Sequence, residues 1–479
     1  MSALTLTDHA SFDAIRRGMG IPLAVGIGLA VWTAGAPEGL SPSGHRALVL
    51  FSAVFILYLT EAIPLAITSL VIAPAAVLLG IASPASSLSG FSSPSVYLIL
   101  GAFIFAAAMV KTRLAERMTY GILKIAGGTT TRITLGITIA NIVLAFLIPS
   151  STARTAVLLP VCLGIASVIG GEGRTRFVVN LLLTLAFTNA AISAGILTAT
   201  APNPATADFL AKAERPVSYV DWLTFGFPPA LIMTFLTWFV IQVVVGTEER
   251  HDAPLAGDAI AKPLSEMGRT TAAEWRTLVI FIIVVVGWVT QGWSKLDTTV
   301  ICLAGTSLLF LPKLGVIDWA DANGEISWQV ILICGGGITL GDLLIKTGAA
   351  NWLAGEIFHG LGLGAAGRLT MLLVVMIVLQ LLHVLFIGTT AMATGIIPIV
   401  LALAETAQVD PRVLVLPAGM IIGGYPVLMF YNTLPNIMVY GTGRLTVLDF
   451  PKVGVPISLL ACIVYAICAS TYWRWLGMI

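Results

Sequence analysis

Apolar runs long enough to cross a bilayer recur from about Gly20 onwards, and they restrict the fold of this chain more than any other feature. A helix needs ~20 residues to span the hydrocarbon layer of a membrane. Only 10% of the 479 residues are charged, whereas soluble domains carry roughly a quarter. No aqueous fold could bury so much apolar surface. The sequence therefore predicts an all-α polytopic membrane protein with about eleven transmembrane helices.

Charge and cysteine usage argue against other classes of protein. The net charge is +1, and no basic cluster with interleaved aromatic residues is present, so we expect no nucleic-acid partner. The five cysteines are scattered through apolar stretches without Cys-x-x-Cys or histidine-paired spacing. We interpret them as small core residues rather than metal ligands.

The distribution of lysine and arginine predicts the orientation in the membrane. These residues accumulate on the cytoplasmic side of inner-membrane proteins. With the amino terminus inside, eleven crossings and two segments that re-enter without crossing, the inner side receives about twice as many as the outer side. We therefore predict a multi-pass plasma (inner) membrane protein with a cytoplasmic amino terminus.

The carboxyl half repeats four motifs of the amino half in the same order, at separations between 228 and 238 positions. Four matches in register indicate a duplication. The matched pairs are Lys111-Thr112 with Lys346-Thr347, Ser150-Ser151-Thr152-Ala153 with Gly388-Thr389-Thr390-Ala391, Thr200-Ala201-Pro202-Asn203 with Thr433-Leu434-Pro435-Asn436, and 221–228 with 449–456.

An odd number of predicted spans separates equivalent points of the two halves, so the second half is predicted to lie upside down relative to the first. Secondary transporters use such inverted repeats to alternate between inward-open and outward-open shapes around a central site. The predicted divisions are an amino-terminal tail with the first transmembrane helix at 1–45, repeat 1 at 46–246, a cytoplasmic linker at 247–275 and repeat 2 at 276–479.

Each half contains a predicted re-entrant helical hairpin, at 133–170 and 368–407, whose apolar run is interrupted by small hydroxyl residues. Bare polar backbone in lipid costs several kcal/mol per group, so each tip must be buried or line a wet cavity. Ser and Thr are preferred helix N-caps. Helices beginning at Ala153 and Ala391 would point their amide donors and positive dipole ends into that cavity, where an anion is the natural occupant.

The Thr-x-Pro-Asn motifs predict broken transmembrane helices at 175–212 and 412–442, because proline removes an amide donor and disfavours helix in the preceding residue. Carbonyls freed there can hold a cation. Asn203 and Asn436 add amide donors that can bind a carboxylate oxygen. A single such motif is more often a kink or a contact between helices, but its duplication favours a binding site.

Arg154 lies two residues past the first hydroxyl turn, deep in an apolar hairpin, where an unpaired charge costs at least ~2.5 kcal/mol. A snorkelled or carboxylate-paired structural arginine is one interpretation. The other is that its charge contributes to the anion site or stands where a bound cation would otherwise lie. We interpret His383 as a packing residue, and Glu61 and Asp342 as interfacial residues.

These motifs resemble those of the divalent anion/sodium symporter family. The resemblance rests on Thr-Glu-Ala-Ile-Pro-Leu-Ala-Ile-Thr at 60–68, the two hydroxyl turns each followed by a proline, the paired breaks and Tyr-Gly-Thr-Gly at 440–443, and it runs from about Arg46 to the carboxyl terminus. It implies a homodimer in which an elevator motion of the hairpin-containing domain carries dicarboxylates, citrate or sulfate.

In that family each hairpin tip reads Ser-Asn-Thr, holds substrate carboxylates and helps to form a sodium site. The resemblance implies sodium as the coupling ion, with contacts at Ser150, Ser151, Gly388 and Thr389, and no other cofactor. The predicted substrate-binding residues are Ser151, Thr152, Thr200, Pro202, Asn203, Thr389, Thr390, Thr433, Pro435 and Asn436.

Both tips lack the family's asparagine, which leaves the substrate open. Residues 151–154 also resemble the sodium-independent exchangers of the family, the citrate/succinate and plastid oxoglutarate/malate type, whose first hairpin reads Thr-Ala-Arg. We hypothesise that the fixed charge of Arg154 substitutes for a sodium ion at the first site and favours exchange over net symport.

The sequence thus predicts a secondary active transporter of small divalent anions, of the succinate, malate and citrate class, acting as sodium symporter or anion exchanger. A sulfate or arsenite permease on the same scaffold is the alternative. An intramembrane enzyme would need a nucleophile–base pair or metal ligands within the spans. Because the sequence contains no His-Glu-x-x-His, paired intramembrane aspartates or Gly-x-Ser-x-Gly, we expect no enzyme.

Overall fold

A computed structural model describes residues 6–169, 173–247 and 253–478, and these residues form helices and no strand. Ten of the helices in these ranges are long and apolar enough to cross a membrane. The predicted all-α polytopic fold class is therefore confirmed. The number differs from the predicted eleven because several predicted crossings are divided into, or formed by, apolar helices of fewer than 18 residues.

The helices up to residue 247 follow the predicted order of spans, hairpin and broken helix. Many begin at a hydroxyl or proline cap; Ser218 and Asp221 form a capping box at the start of α11, for example. The helices are α1 (Leu6–Thr33), α2 (Pro42–Thr60), α3 (Leu65–Leu78), α4 (Pro84–Ser87), α5 (Pro94–Lys111), α6 (Leu114–Ala126), α7 (Thr130–Leu147), α8 (Ser151–Ile169), α9 (Arg176–Ser193), α10 (Pro202–Lys212) and α11 (Tyr219–Val244).

The helices after residue 252 repeat the order of spans, hairpin and broken helix. Short 3₁₀ turns lie at Ser89–Ser92 and Leu363–Ala365. The helices are α12 (Ala253–Glu266), α13 (Ala272–Val289), α14 (Gln291–Ser294), α15 (Thr298–Leu308), α16 (Trp319–Glu325), α17 (Trp328–Lys346), α18 (Ala349–Gly360), α19 (Arg368–Leu382), α20 (Thr389–Thr406), α21 (Pro411–Gly424), α22 (Leu434–Tyr440), α23 (Asp449–Ser470) and α24 (Tyr472–Trp475).

Two helices occupy each predicted hairpin, α7 with α8 and α19 with α20, and two occupy each predicted broken helix, α9 with α10 and α21 with α22. The packing between them is reciprocal. α8 packs against α9 of its own half and α22 of the other, and α20 packs against α21 and α10. This arrangement brings both hairpin tips and both breaks to the middle of the protein. The domain boundaries themselves stay predictions.

The predicted linker contains a helix, α12, that packs against α6 and α8. Arg117 of α6 fastens the end of this linker, because its Nε donates to Glu274 Oε1 at 2.5 Å and its Nη1 to Gly268 O at 2.8 Å. The polar linker residues 248–252, the first five residues of the predicted tail and Gly170 of the first hairpin lie outside the described residues.

Candidate functional site

Both hairpin tips and both breaks line one cavity of about 220 Å³. Segments that are more than two hundred positions apart in the sequence therefore face each other across a single space. Most of their side chains are hydroxyls, which can both donate and accept hydrogen bonds. The tips contribute Ser150, Ser151, Thr152, Gly388, Thr389 and Thr390, and the breaks contribute Thr198, Thr200, Ala201, Thr433, Leu434 and Pro435.

Three helices of eleven residues or more begin at this cavity: α8 at Ser151, α10 at Pro202 and α20 at Thr389. The positive dipole ends of all three favour a bound anion, and α8 and α20 add free amide groups. α10 adds none, because it begins Pro-Asn-Pro and the Asn203 amide donates to the Thr200 carbonyl at 3.2 Å. Ser150 Oγ caps α8 by accepting from the Ala153 amide at 3.2 Å. A capping hydroxyl accepts a bond and keeps its own proton, which it can donate to a ligand.

An apolar wall forms another part of the cavity lining. It consists of Leu98, Ile99 and Phe103 of α5 and of Val330 and Ile333 of α17. These residues carry no polar group that could bind a charged oxygen. The cavity therefore combines donors from the tips and breaks with an apolar surface, which suits a ligand with charged ends and an aliphatic middle.

Glu61 is the one charged side chain among the described residues that line the cavity. It follows α2 in a left-handed conformation, with φ 48°. The Nη2 atoms of Arg16 and Arg17 lie 3.9 and 3.5 Å from its Oε2. The sequence predicted an interfacial role for Glu61. In the structure this residue lines the cavity, with two arginines of α1 beside it.

Asn203 and Asn436 lie behind the cavity wall, and their amide donors are already used. Asn203 Nδ2 donates to the carbonyls of Ser193 and Ile196 at 2.8 and 2.9 Å. Asn436 Nδ2 donates to the carbonyls ten and seven residues before it, at 2.8 and 3.2 Å. The predicted contact of these donors with a carboxylate is therefore not supported. Each asparagine instead braces the break of its own half.

Arg154 is fully buried and does not line the cavity. Its Nε donates to Asn189 Oδ1 at 2.7 Å, its Nη1 to the carbonyl of Ile148 at 2.7 Å and its Nη2 to Ser193 Oγ. Among the residues that the structure describes, no carboxylate lies within 4 Å of the guanidinium. The carboxylate-paired interpretation of Arg154 is therefore wrong, and neutral oxygens hold the charge.

Of the two prolines predicted to bind substrate, Pro435 lines the cavity and Pro202 does not. Sequence reasoning missed Thr198, Gln329 and Tyr431, which also line it. The Thr198 hydroxyl is buried without a hydrogen-bond partner. Thr198 precedes the first Thr-x-Pro-Asn motif by two residues, and this position could have predicted that it lies at the site. The other two lie outside the duplicated motifs, so no pattern pointed to them.

An ion cluster outside the cavity lining joins α10 to α17. Lys212 Nζ is 2.9 Å from Asp208 Oδ2 and 2.7 Å from Asp342 Oδ1. Both carboxylates are less than a tenth exposed, whereas the lysine side chain is 35% exposed. Asp342 is therefore paired near the end of α17, and its interpretation as an interfacial residue stays a prediction.

Comparison with solved structures shows a shared fold. The chain is similar to the YdaH transporter of Alcanivorax borkumensis, with a TM-score of 0.57 and 12% identity over 90% of this chain and 99% of that one. It is also similar to the MtrF transporter of Neisseria gonorrhoeae, with a TM-score of 0.59 and 10% identity over 92% and 97% of the two chains.

Comparison with known sequences gives more specific matches. A membrane protein of Cupriavidus necator is 28% identical over 96% of this chain and 93% of that protein. The sodium-dependent dicarboxylate transporter SdcS of Staphylococcus saprophyticus is 27% identical over 89% of this chain and 86% of its own length. Residues 18–479 match the family described as the sodium:sulfate symporter transmembrane region. Nearly the whole chain is covered, so this protein is a transporter that belongs to that family and not an enzyme.

Proposed function

We propose that this protein is a secondary active transporter of small dicarboxylates such as succinate or malate. The observation that carries the proposal is the cavity lined by both tips and both breaks, because it combines three helix amino termini with hydroxyl donors. The printed function of the staphylococcal relatives supports the carboxylate class.

The shape of the lining supports a dicarboxylate over a fully polar anion such as sulfate. The two tips provide two separate sets of donors, one at Ser151 and Thr152 and one at Thr389 and Thr390. The apolar wall from α5 and α17 lines the same cavity. A dicarboxylate has two charged ends and an aliphatic middle, and it would satisfy both surfaces. Sulfate would leave the apolar wall without a partner.

The same division of the lining supports an alternating-access mechanism. The polar lining residues of the tips and breaks belong to the hairpins and broken helices, whereas α5 and α17 contribute mainly apolar residues to the lining. We propose that the hairpins and broken helices move as one domain against α5 and α17, in the elevator manner expected for this family. The predicted homodimer, inner-membrane location and cytoplasmic amino terminus belong to the same proposal.

Sodium symport is the coupling that the relatives support, because they are sodium-dependent. Anion exchange is a second candidate, favoured by Arg154. Its Nη1 donates to the carbonyls of Ile148 and Ala199, at 2.7 and 3.4 Å. These are backbone oxygens of a hairpin turn and a helix break, the groups that would otherwise hold a coupling cation.

A thermal-shift screen of the purified protein tests the substrate class. Succinate, malate, citrate, sulfate and taurine are each added in sodium or choline buffer, and we expect the largest stabilisation with a dicarboxylate, since a bound ligand stabilises the folded state. Stabilisation by none of the carboxylates would defeat the proposal. Uptake of labelled succinate into liposomes then separates the coupling modes: symport needs a sodium gradient, whereas exchange needs internal succinate in choline buffer.

A further inference from the structure

Arg154 joins the turn of the first hairpin to the first break. Its Nη1 donates to the carbonyl of Ile148, two residues before the tip, and to the carbonyl of Ala199, the residue before the Thr-x-Pro-Asn motif. The side chain starts on α8 and is fully buried. One guanidinium thus bonds two stretches of backbone at once, adding to the 2.8 Å bond that the Ile148 carbonyl already accepts from the Ser150 amide.

Asn432 makes the same junction in the second half, from the opposite side. Its Nδ2 donates to the carbonyl of Phe386, two residues before the second tip, at 3.1 Å, and also to the carbonyl of His383. Its Oδ1 accepts from the amide of Met429 at 2.8 Å. The side chain starts on the break, is 1% exposed and does not line the cavity.

A second contact between hairpin and broken helix is also repeated at an equivalent position. In the first half, Arg154 Nε donates to the side chain of Asn189, eleven residues before the threonine of the break. In the second half, a ring nitrogen of His383 bonds the carbonyl of Ile422, again eleven residues before the threonine, at 3.2 Å. The two halves therefore meet one structural requirement with different side chains.

We propose that Arg154 and Asn432 are equivalent positioning residues, each tying its hairpin tip to the broken helix of the same half. Ala199 is the counterpart of Asn432, and Met392 is the counterpart of Arg154. In the first half the side chain that makes the tie lies on the hairpin, at Arg154. In the second half it lies on the break, at Asn432. The role of the tie is to keep the donors of tip and break at a fixed spacing. This inference rests on the proposed function only for its succinate-binding and transport readouts.

If Arg154 acts as a tie, a neutral hydrogen-bond donor can replace it, whereas if its charge is required, a neutral donor cannot. Introducing the residues of the second half into the first half distinguishes these two roles. Arg154→Met places the second-half residue in the first half and removes the tie. The double variant Arg154→Met/Ala199→Asn restores it with the neutral donor that the second half uses. Ala199→Asn alone is the matched control, and Arg154→Lys keeps the charge but loses the planar guanidinium that reaches both carbonyls.

We expect Arg154→Met to lower the thermal stability of the ligand-free protein and to weaken succinate binding at least tenfold. The neutral double variant should recover at least half of both losses, and Arg154→Lys should remain impaired. A double variant as impaired as Arg154→Met overturns the proposal. So does an Arg154→Lys protein that binds and transports like the wild type, because charge alone would then suffice.

Asn432→Ala keeps the proposal testable where Arg154→Met gives too little folded protein. We expect it to weaken succinate binding at least tenfold, although the side chain does not line the cavity, and unchanged binding overturns the tie in the second half. The proposed function fails separately. If the wild type binds no carboxylate, the ligand-free stabilities of Arg154→Met and the double variant still decide whether the tie exists.

Discussion

The two asparagines of the breaks give the sharpest test of how the site is built. Asn203 and Asn436 each donate two hydrogen bonds to carbonyls ten and seven residues before them, and neither lines the cavity. Replacing either by alanine leaves two buried carbonyls without that partner. Most of these carbonyls keep a backbone N–H partner, such as the Ala199 amide on the Ile196 carbonyl at 3.0 Å. Each lost side-chain bond then costs ~0.5–1.5 kcal/mol, and we expect each variant to lose about 1–3 kcal/mol of stability.

The same substitutions should also weaken substrate binding, because a break that is no longer braced cannot hold Thr200 or Thr433 in place. We expect succinate affinity to fall at least tenfold, which corresponds to about 1.4 kcal/mol. Thermal unfolding measured with and without succinate, and binding by titration calorimetry, give both quantities from one preparation. Loss of stability with unchanged succinate affinity would refute the reasoning.

Asn141 provides a matched control for these variants. It is also fully buried, and its Nδ2 donates two bonds, to the Leu185 carbonyl at 3.1 Å and Thr188 Oγ1 at 2.8 Å. Like Asn203 and Asn436, it has an Oδ1 without a hydrogen-bond partner. Asn141 lies away from the cavity. Asn141→Ala should therefore lose similar stability while keeping succinate affinity.

Replacement by aspartate distinguishes a brace from a cation ligand. Asn203→Asp keeps the shape but offers no donor to the two carbonyls and buries a charge, so we expect it to be less stable than Asn203→Ala. If the unpaired Oδ1 instead served a bound cation, the aspartate would bind that cation more strongly. A sodium-dependent stabilisation of Asn203→Asp beyond that of the wild type would contradict the brace.

Five other variants test three separate parts of the structure. Thr152→Ala and Thr390→Ala should each weaken succinate binding about tenfold or more, as expected for a hydrogen bond to a charged group, with unchanged membrane insertion; unaltered transport by both would remove the tips from the site. Gly337→Ala should block transport, because an added Cβ would clash with the Thr394 side chain of α20, whereas Gly164→Ala, which meets nothing within 4 Å, should transport normally. Lys212→Met leaves Asp208 and Asp342 without their shared lysine and should cost about 1–3 kcal/mol in thermal unfolding experiments, less than for a fully buried pair because the lysine side chain is 35% exposed; a stability equal to the wild type would show that the ion cluster contributes nothing.

The tips and breaks were predictable because their causes are local. Proline is well suited to the first turn of a helix, where Pro202 stands in α10, and a serine such as Ser150 caps the helix that follows it. The duplication then made each weak local signal into a strong one. This is why the structure has α8 beginning at Ser151 and α20 at Thr389, within two residues of the predicted starts.

The partners of the polar side chains were not predictable, because they depend on packing between segments far apart in the sequence. Asn203 could have faced the cavity or the chain behind it, and only the path of the break puts the carbonyls of Ser193 and Ile196 within its reach. Arg154 likewise finds Asn189 and Ser193 on α9, which no spacing rule connects to it. The apolar wall at Phe103 was equally hidden, since one apolar residue of a membrane helix looks like another.

The chemistry of the cavity is consistent with a site that must release its ligand as readily as it binds it. A buried ion pair of full charges is costly to form and costly to break, and the described lining residues contain no lysine or arginine. Hydroxyl groups and helix ends offer an anion partial charges instead, and they can return to one another or to water when the ligand leaves. Arg154 lies behind this lining, bound to neutral oxygens, where it can hold the tip in place without holding the substrate.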